Sequence, residues 1–136
     1  MAYPDSAYWF LAHEHINTKR LMAYMYFLHA WSCALIDDYD DELEFRVTPN
    51  GITESQIKKD FVLNDFEYPT EQPSVKNKWL YDSIIETYNT FKTDELYEII
   101  KNDEPYQWAK KRKKLKNIIT NNDLQKYYRF LYRNSR

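Results

Sequence analysis

The chain has 136 residues, 43% hydrophobic and 29% charged, with a formal net charge of −2. That is enough for one domain with a sound core, and it excludes a disordered or fibrous composition. A single glycine, Gly51, argues against phosphate-cradling loops and hairpin-rich β-folds, and a single cysteine, Cys33, excludes an intrachain disulfide.

In chain order, Asp5 or Ser6 can cap a first helix through Tyr8, Trp9, Leu11 and Ala12. A second helix is expected from Asn17 or Thr18 to about Leu35 or Ile36. Its apolar stripe is Leu21, Tyr24, Met25, Leu28, Trp31, Ser32 and Leu35. An acidic loop follows. Leu43 to Val47 alternates like a short strand, and Thr48-Pro49-Asn50-Gly51 is a turn signal. Thr53 with Gln56 resembles a capping box for a short helix through Ile57 and Phe61. Pro69 and Pro73 mark 64–74 as a loop. Ser74 then caps an expected helix from Val75 to about Phe91, with Val75, Trp79, Leu80, Ile84, Tyr88 and Phe91 inward. Thr93 caps the next helix, with core face Leu96, Tyr97, Ile99 and Ile100. Pro105 suits the first turn of another, with Trp108 inward. Asn121 or Asn122 caps the last, with Leu124, Tyr127, Tyr128, Leu131 and Tyr132 on its apolar side. The expected fold is a mainly α domain spanning 1–136, of about six or seven helices, with a small β element near residues 43–52.

The stretch Ile16 to Trp31 resembles the opening of the Panacea (SocA-like) domain of small bacterial and phage antitoxin-type proteins, roughly I-T-P-L-K-L-Q-K-L-L-Y-F-A-Q-G-W. Ile16, Leu21, Met25, Tyr26, Phe27 and Trp31 fall in register; His29 stands for the usual Gln and Ala30 for the frequent Gly. That family follows with an acidic loop, a strand and an A-W-x-Y-G-P-V turn. Here Gly51 and Ile52 survive, while Phe45 and Arg46 replace the Ala-Trp pair. Tyr88 to Trp108 resembles the family's S/T-x-x-E-L helix pair without its His, and Ile119 to Tyr128 its last segment. The resemblance implies a non-enzymatic module that binds and neutralises a partner protein, either by occlusion or by handing it to a protease. It implies no cofactor.

Six carboxylates crowd eight residues: Asp37, Asp38, Asp40, Asp41, Glu42 and Glu44. They lack the glycine and final glutamate of an EF-hand loop, so a solvated acidic loop or a surface for a basic protein are the readings. With Phe45, Arg46 and Gly51 they form the expected partner-binding region. Lys110, Lys111, Arg112, Lys113, Lys114 and Lys116 form a basic run followed by Tyr127, Tyr128 and Phe130, either a solvated helix face or a nucleic-acid surface. Charge is lopsided: residues 1–108 carry 9 basic and 20 acidic residues, residues 109–136 carry 10 and 1. The tail either orients a charged partner or folds over the acidic surface.

His13-Glu14-His15 is not a metal motif, because i and i+2 side chains leave a helix on opposite sides. Cys33 reads as a small buried hydrophobe, and no nucleophile signature or P-loop is present, so no catalytic residue or metal site is expected. No basic run precedes an apolar stretch at the N-terminus, and no membrane span is expected. The expected setting is the cytoplasm of a bacterium, phage-infected or not. The 13 tyrosines fit a binding interface, a homodimer contact or the habit of an A/T-rich genome. The rival functions are a phage-encoded inhibitor of a bacterial defence system, of anti-CRISPR type, and a nucleic-acid binder using the basic segment.

Overall fold

Asn17 starts the central element: its Oδ1 accepts the Arg20 N–H at 2.8 Å, freeing Thr18 to open the helix. The computed structural model describes residues 5–112 and 114–134. In order these form α1 (Asp5–His13), α2 (Thr18–Leu35), β1 (Phe45–Thr48), β2 (Gly51–Glu54) and α3 (Ser55–Ile57), which runs on as a π-helical turn (Lys58–Val62). Then come α4 (Lys78–Tyr88), α5 (Thr93–Asn102), α6 (Glu104–Lys111), a 3-10 turn (Lys114–Asn117), β3 (Ile118–Ile119) and α7 (Asn121–Asn134). The fold is mainly α with a small antiparallel sheet of order β2-β1-β3.

The second helix is more deeply placed than a one-sided stripe implies. Every residue from Leu21 to Ala30 is buried, because α1, α4, α5 and α7 pack around it. A helix apolar on all sides belongs in the middle of a core. Phe27 stacks on Tyr88 with centroids 3.9 Å apart, and Trp31 Nε1 donates to the Tyr88 hydroxyl at 2.9 Å. The two ends of neighbouring helices are satisfied by side chains. Arg20 donates to the carbonyls of Tyr88 and Asn89 at the end of α4. Gln125 and Arg129 of α7 donate to the carbonyls of Cys33 and Ala34 at the end of α2, at 3.2 and 2.9 Å.

The expected single strand is a hairpin. β1 pairs with β2 through Phe45↔Glu54 and Thr48↔Gly51, with Pro49 and Asn50 at the tip, and β3 adds Phe45↔Ile119. Because β2 occupies Gly51–Glu54, the cap of the following turn is Glu54, whose Oε1 accepts the Ile57 N–H at 2.9 Å, and not Thr53. The helix expected from Val75 begins only at Lys78. Asn77 is left-handed, with φ 54, and the Lys76 N–H is taken by Asp40. The helix turns Leu80, Tyr81, Ile84 and Tyr88 inward and Trp79 out, at 51% exposure, and Phe91, expected within it, lies past its end at 37% exposure. Trp108, expected inward, is half-buried, and of the expected α7 stripe only Leu124 and Tyr128 are buried.

Candidate functional site

The acidic loop divides into inward and outward carboxylates. Asp37 ends α2: it is left-handed, with φ 52, and its N–H donates to the Ser32 carbonyl at 2.8 Å. Asp40 accepts the Lys76 N–H at 2.9 Å and the Tyr81 hydroxyl at 2.6 Å. Asp41 accepts the Ser6 N–H at 3.2 Å and the Ser6 hydroxyl at 2.5 Å, covering the exposed donors at the start of α1. Asp40 and Asp41 are thus a clasp between α1 and α4. They help line a small, partly open pocket of about 20 Å³, room for one water.

Asp37, Asp38, Glu42 and Glu44 stay exposed. Asp38 sits 3.7 Å from the Lys76 ammonium, and Glu44 accepts from Arg46 at 3.2 Å; both pairs are solvated and hold little energy. Glu42, Glu44 and Glu54 line one open groove of about 490 Å³, closed on its other side by Ile118, Thr120 and Asn121. Burial pushes the Glu54 carboxyl up, against the lowering effect of the backbone N–H groups that it accepts.

Two of the expected contact residues are core. Phe45 is 1% exposed, edge-on to Tyr26, because alternation along β1 turns it onto α2. Gly51 is buried with φ +141, and a Cβ there would meet the Tyr97 ring at 2.8 Å. Both are packing positions: Phe45 adjoins Glu44 and lies against α2, and Gly51, paired with Thr48 at the other end of the hairpin, lies against Tyr97.

The basic run is also divided. Lys110 and Lys111 are exposed in the last turn of α6, where cations suit the helix dipole. Lys116 is exposed with φ 50. Arg112 is half-buried, pairs with Asp123 at 2.8 Å and so ties α6 to the first turn of α7. Lys113 and the side chain of Lys114 lie outside the described residues. Among the described residues, no ion pair joins the tail to the acidic body; its ion pair, Arg112–Asp123, lies within the tail.

A third cluster went unread in the sequence. His29 Nε2 lies 2.7 Å from Asn121 Oδ1 and 3.8 Å from Cys33 Sγ. The i, i+4 spacing of His29 and Cys33 was visible, but Asn121 comes from 92 residues away. Burial pushes the thiol up to about 11 and holds the imidazole below its usual value, opposed by Asn121, so both groups are neutral near pH 7. His13 and His15 part company, one stacked on Trp9 and the other against Tyr68.

No family model, curated protein or solved structure matches this chain. Among the described residues, no group of three or more His, Cys, Asp and Glu side chains is placed to hold a metal ion. Among them too, no helix is long and apolar enough to cross a membrane.

Proposed function

We propose that this chain is a non-enzymatic protein-binding module of the Panacea type, which neutralises a partner protein by covering a basic surface on it. The observation that carries the reading is the division of the acidic loop. Asp40 and Asp41 anchor the loop to α1 and α4, and that anchoring holds Asp37, Asp38, Glu42 and Glu44 outward on a fixed frame. A preformed acidic surface loses little entropy on docking and steers a cationic partner. The resemblance of Ile16 to Trp31 to an antitoxin-type domain supports a toxin as the partner, and a nuclease subunit of a defence system is the variant of the same mechanism.

The test is affinity capture from host lysate with the unaltered protein and with Asp37→Asn, Asp38→Asn, Glu42→Gln and Glu44→Gln combined. The reading expects a basic protein recovered by the former, lost by the latter, and released by moderate salt. Recovery of the small product of a neighbouring gene indicates the antitoxin role; recovery of a nuclease or defence subunit indicates the inhibitor role. Equal recovery by both proteins would overturn the acidic surface as the site.

A further inference from the structure

Helices α6 and α7 run side by side, tied by the Arg112–Asp123 pair at one end and by the Tyr128 hydroxyl donating to Asp103 at the other. Between them lies an open groove of about 410 Å³ lined by Glu104, Trp108, Lys126, Tyr127, Phe130 and Arg133. Helical spacing explains the lining. Glu104, Trp108 and Lys111 share a stripe of α6, and Lys126, Phe130 and Arg133 share one of α7. Each stripe carries an aromatic ring between charged groups. Phe130 is 57% exposed, and Trp108 and Tyr127 are half-buried. The Lys126 ammonium sits 5.7 Å from the Trp108 ring centroid, which fixes the indole and places a cation at the groove wall.

We propose that the α6–α7 groove binds single-stranded RNA, its bases stacking on Trp108, Tyr127 and Phe130 and its phosphates meeting Lys126, Arg133 and, along the α6 stripe, Lys111. Open aromatic faces with interleaved cations are what an unpaired strand needs, since every base has a ring face and every nucleotide a phosphate. A duplex hides those base faces. An extended peptide gains most from unpaired main-chain groups, and both groove walls are helices whose backbone groups are bonded internally. The choice of RNA rests on Glu104. A carboxylate among cations repels phosphate, but it accepts the hydrogen bond of a ribose 2′-hydroxyl that DNA lacks. The groove is built from different elements than the acidic surface, so this inference stands apart from the partner protein.

Fluorescence anisotropy tests it, using the full chain and a labelled RNA of about 10 nucleotides, the matching DNA strand and the matching duplex. RNA should bind tightest, with affinity falling steeply as salt rises. Phe130→Ala should weaken binding on the order of 10-fold, and Lys126→Ala should weaken it and flatten the salt dependence. Trp79→Ala, which removes an exposed indole outside the groove, should change nothing. Glu104→Gln should narrow the gap between RNA and DNA. Equal binding of strand and duplex, or unchanged affinity in Phe130→Ala, would overturn the groove as a stacking site. Equal binding of RNA and DNA would overturn the role of Glu104. Absence of nucleic-acid binding, with polyglutamate bound instead, would replace the proposal with an acidic protein partner.

Discussion

Gly51 shows how much one residue can be required to do. Its φ of +141 is open only to glycine, and the Tyr97 ring lies where a side chain would start. Tyr97 cannot easily retreat, because its hydroxyl donates to the Lys19 carbonyl at 2.6 Å in the first turn of α2. Gly51→Ala should therefore cost about 2 kcal/mol or more in denaturant unfolding, combining backbone strain with a clash. An unfolding midpoint like that of the unaltered protein would show that the hairpin tip shifts freely. Asp103 makes a second residue-scale case. Burial pushes its carboxyl up to about 7, against the lowering effect of the Tyr128 and Tyr26 hydroxyls. The folded state then holds a proton that the unfolded state has released, so stability falls as pH rises from about 4 to about 7 and levels off above. The loss should amount to a few kcal/mol across that window. Glu54 adds a slope of the same sign and His29 one of the opposite sign. Comparing Asp103→Asn with the unaltered protein isolates the Asp103 part: the variant should lose it while keeping an oxygen for Tyr128. A variant with the same pH 5 to pH 8 slope would remove Asp103 as its source.

At the scale of elements, helices were legible where apolar spacing and caps agreed, and so was the centre of each buried face, while the margins of those faces were not. Asn17 and Pro105 mark real helix starts, whereas the last helix is capped by Thr120, whose hydroxyl accepts the Asp123 N–H at 3.1 Å, and not by Asn121 or Asn122. The start at Ser74 failed because Asp40, 36 residues earlier, takes the Lys76 N–H and Asn77 turns left-handed. No local pattern carries that information. Within α4 Trp79 faces out and Tyr81 faces in, and Phe91 falls beyond the end of the helix at Tyr88. Phe27, absent from the expected α2 stripe yet fully buried, and Phe91, on the expected apolar stripe yet exposed, make a matched test. Phe27→Ala should cost about 3–5 kcal/mol in thermal unfolding and Phe91→Ala less than about 1. Similar losses would mean that Phe91 packs inward as its spacing suggested. The strand β2 was hidden for another reason. Thr53 and Gln56 imitate a helix start so well that Gly51–Glu54 reads as turn and cap, while its pairing with β1 depends on residues across the hairpin. In the acidic run the count of carboxylates was legible and their division was not, since Ser6 and Tyr81 decide it.

For the whole molecule, charge separation is a property of the chain that the fold preserves. The tail does not lie in ion pairs across the acidic body among the described residues. Among its described cations, Arg129 closes the end of α2, Arg112 binds Asp123, and Lys110, Lys111 and Lys116 face solvent. Stability should consequently respond weakly to salt, by less than about 1 kcal/mol between low and high ionic strength, while partner capture falls steeply. A large salt-induced loss of stability would mean that the two halves hold each other through charge.

The contact of α7 with α2 has a temporal consequence. The helix at the centre, ending at Leu35, is made before the helix that covers one side of it, which starts only at Asn121. While the ribosome is still extending the chain, the carbonyls of Cys33 and Ala34 and the edges of His29 and Trp31 lack the side chains that later cover them. Closure of the core must wait for α7 to leave the exit tunnel, and a nascent chain stalled before that point presents an aromatic surface to proteases.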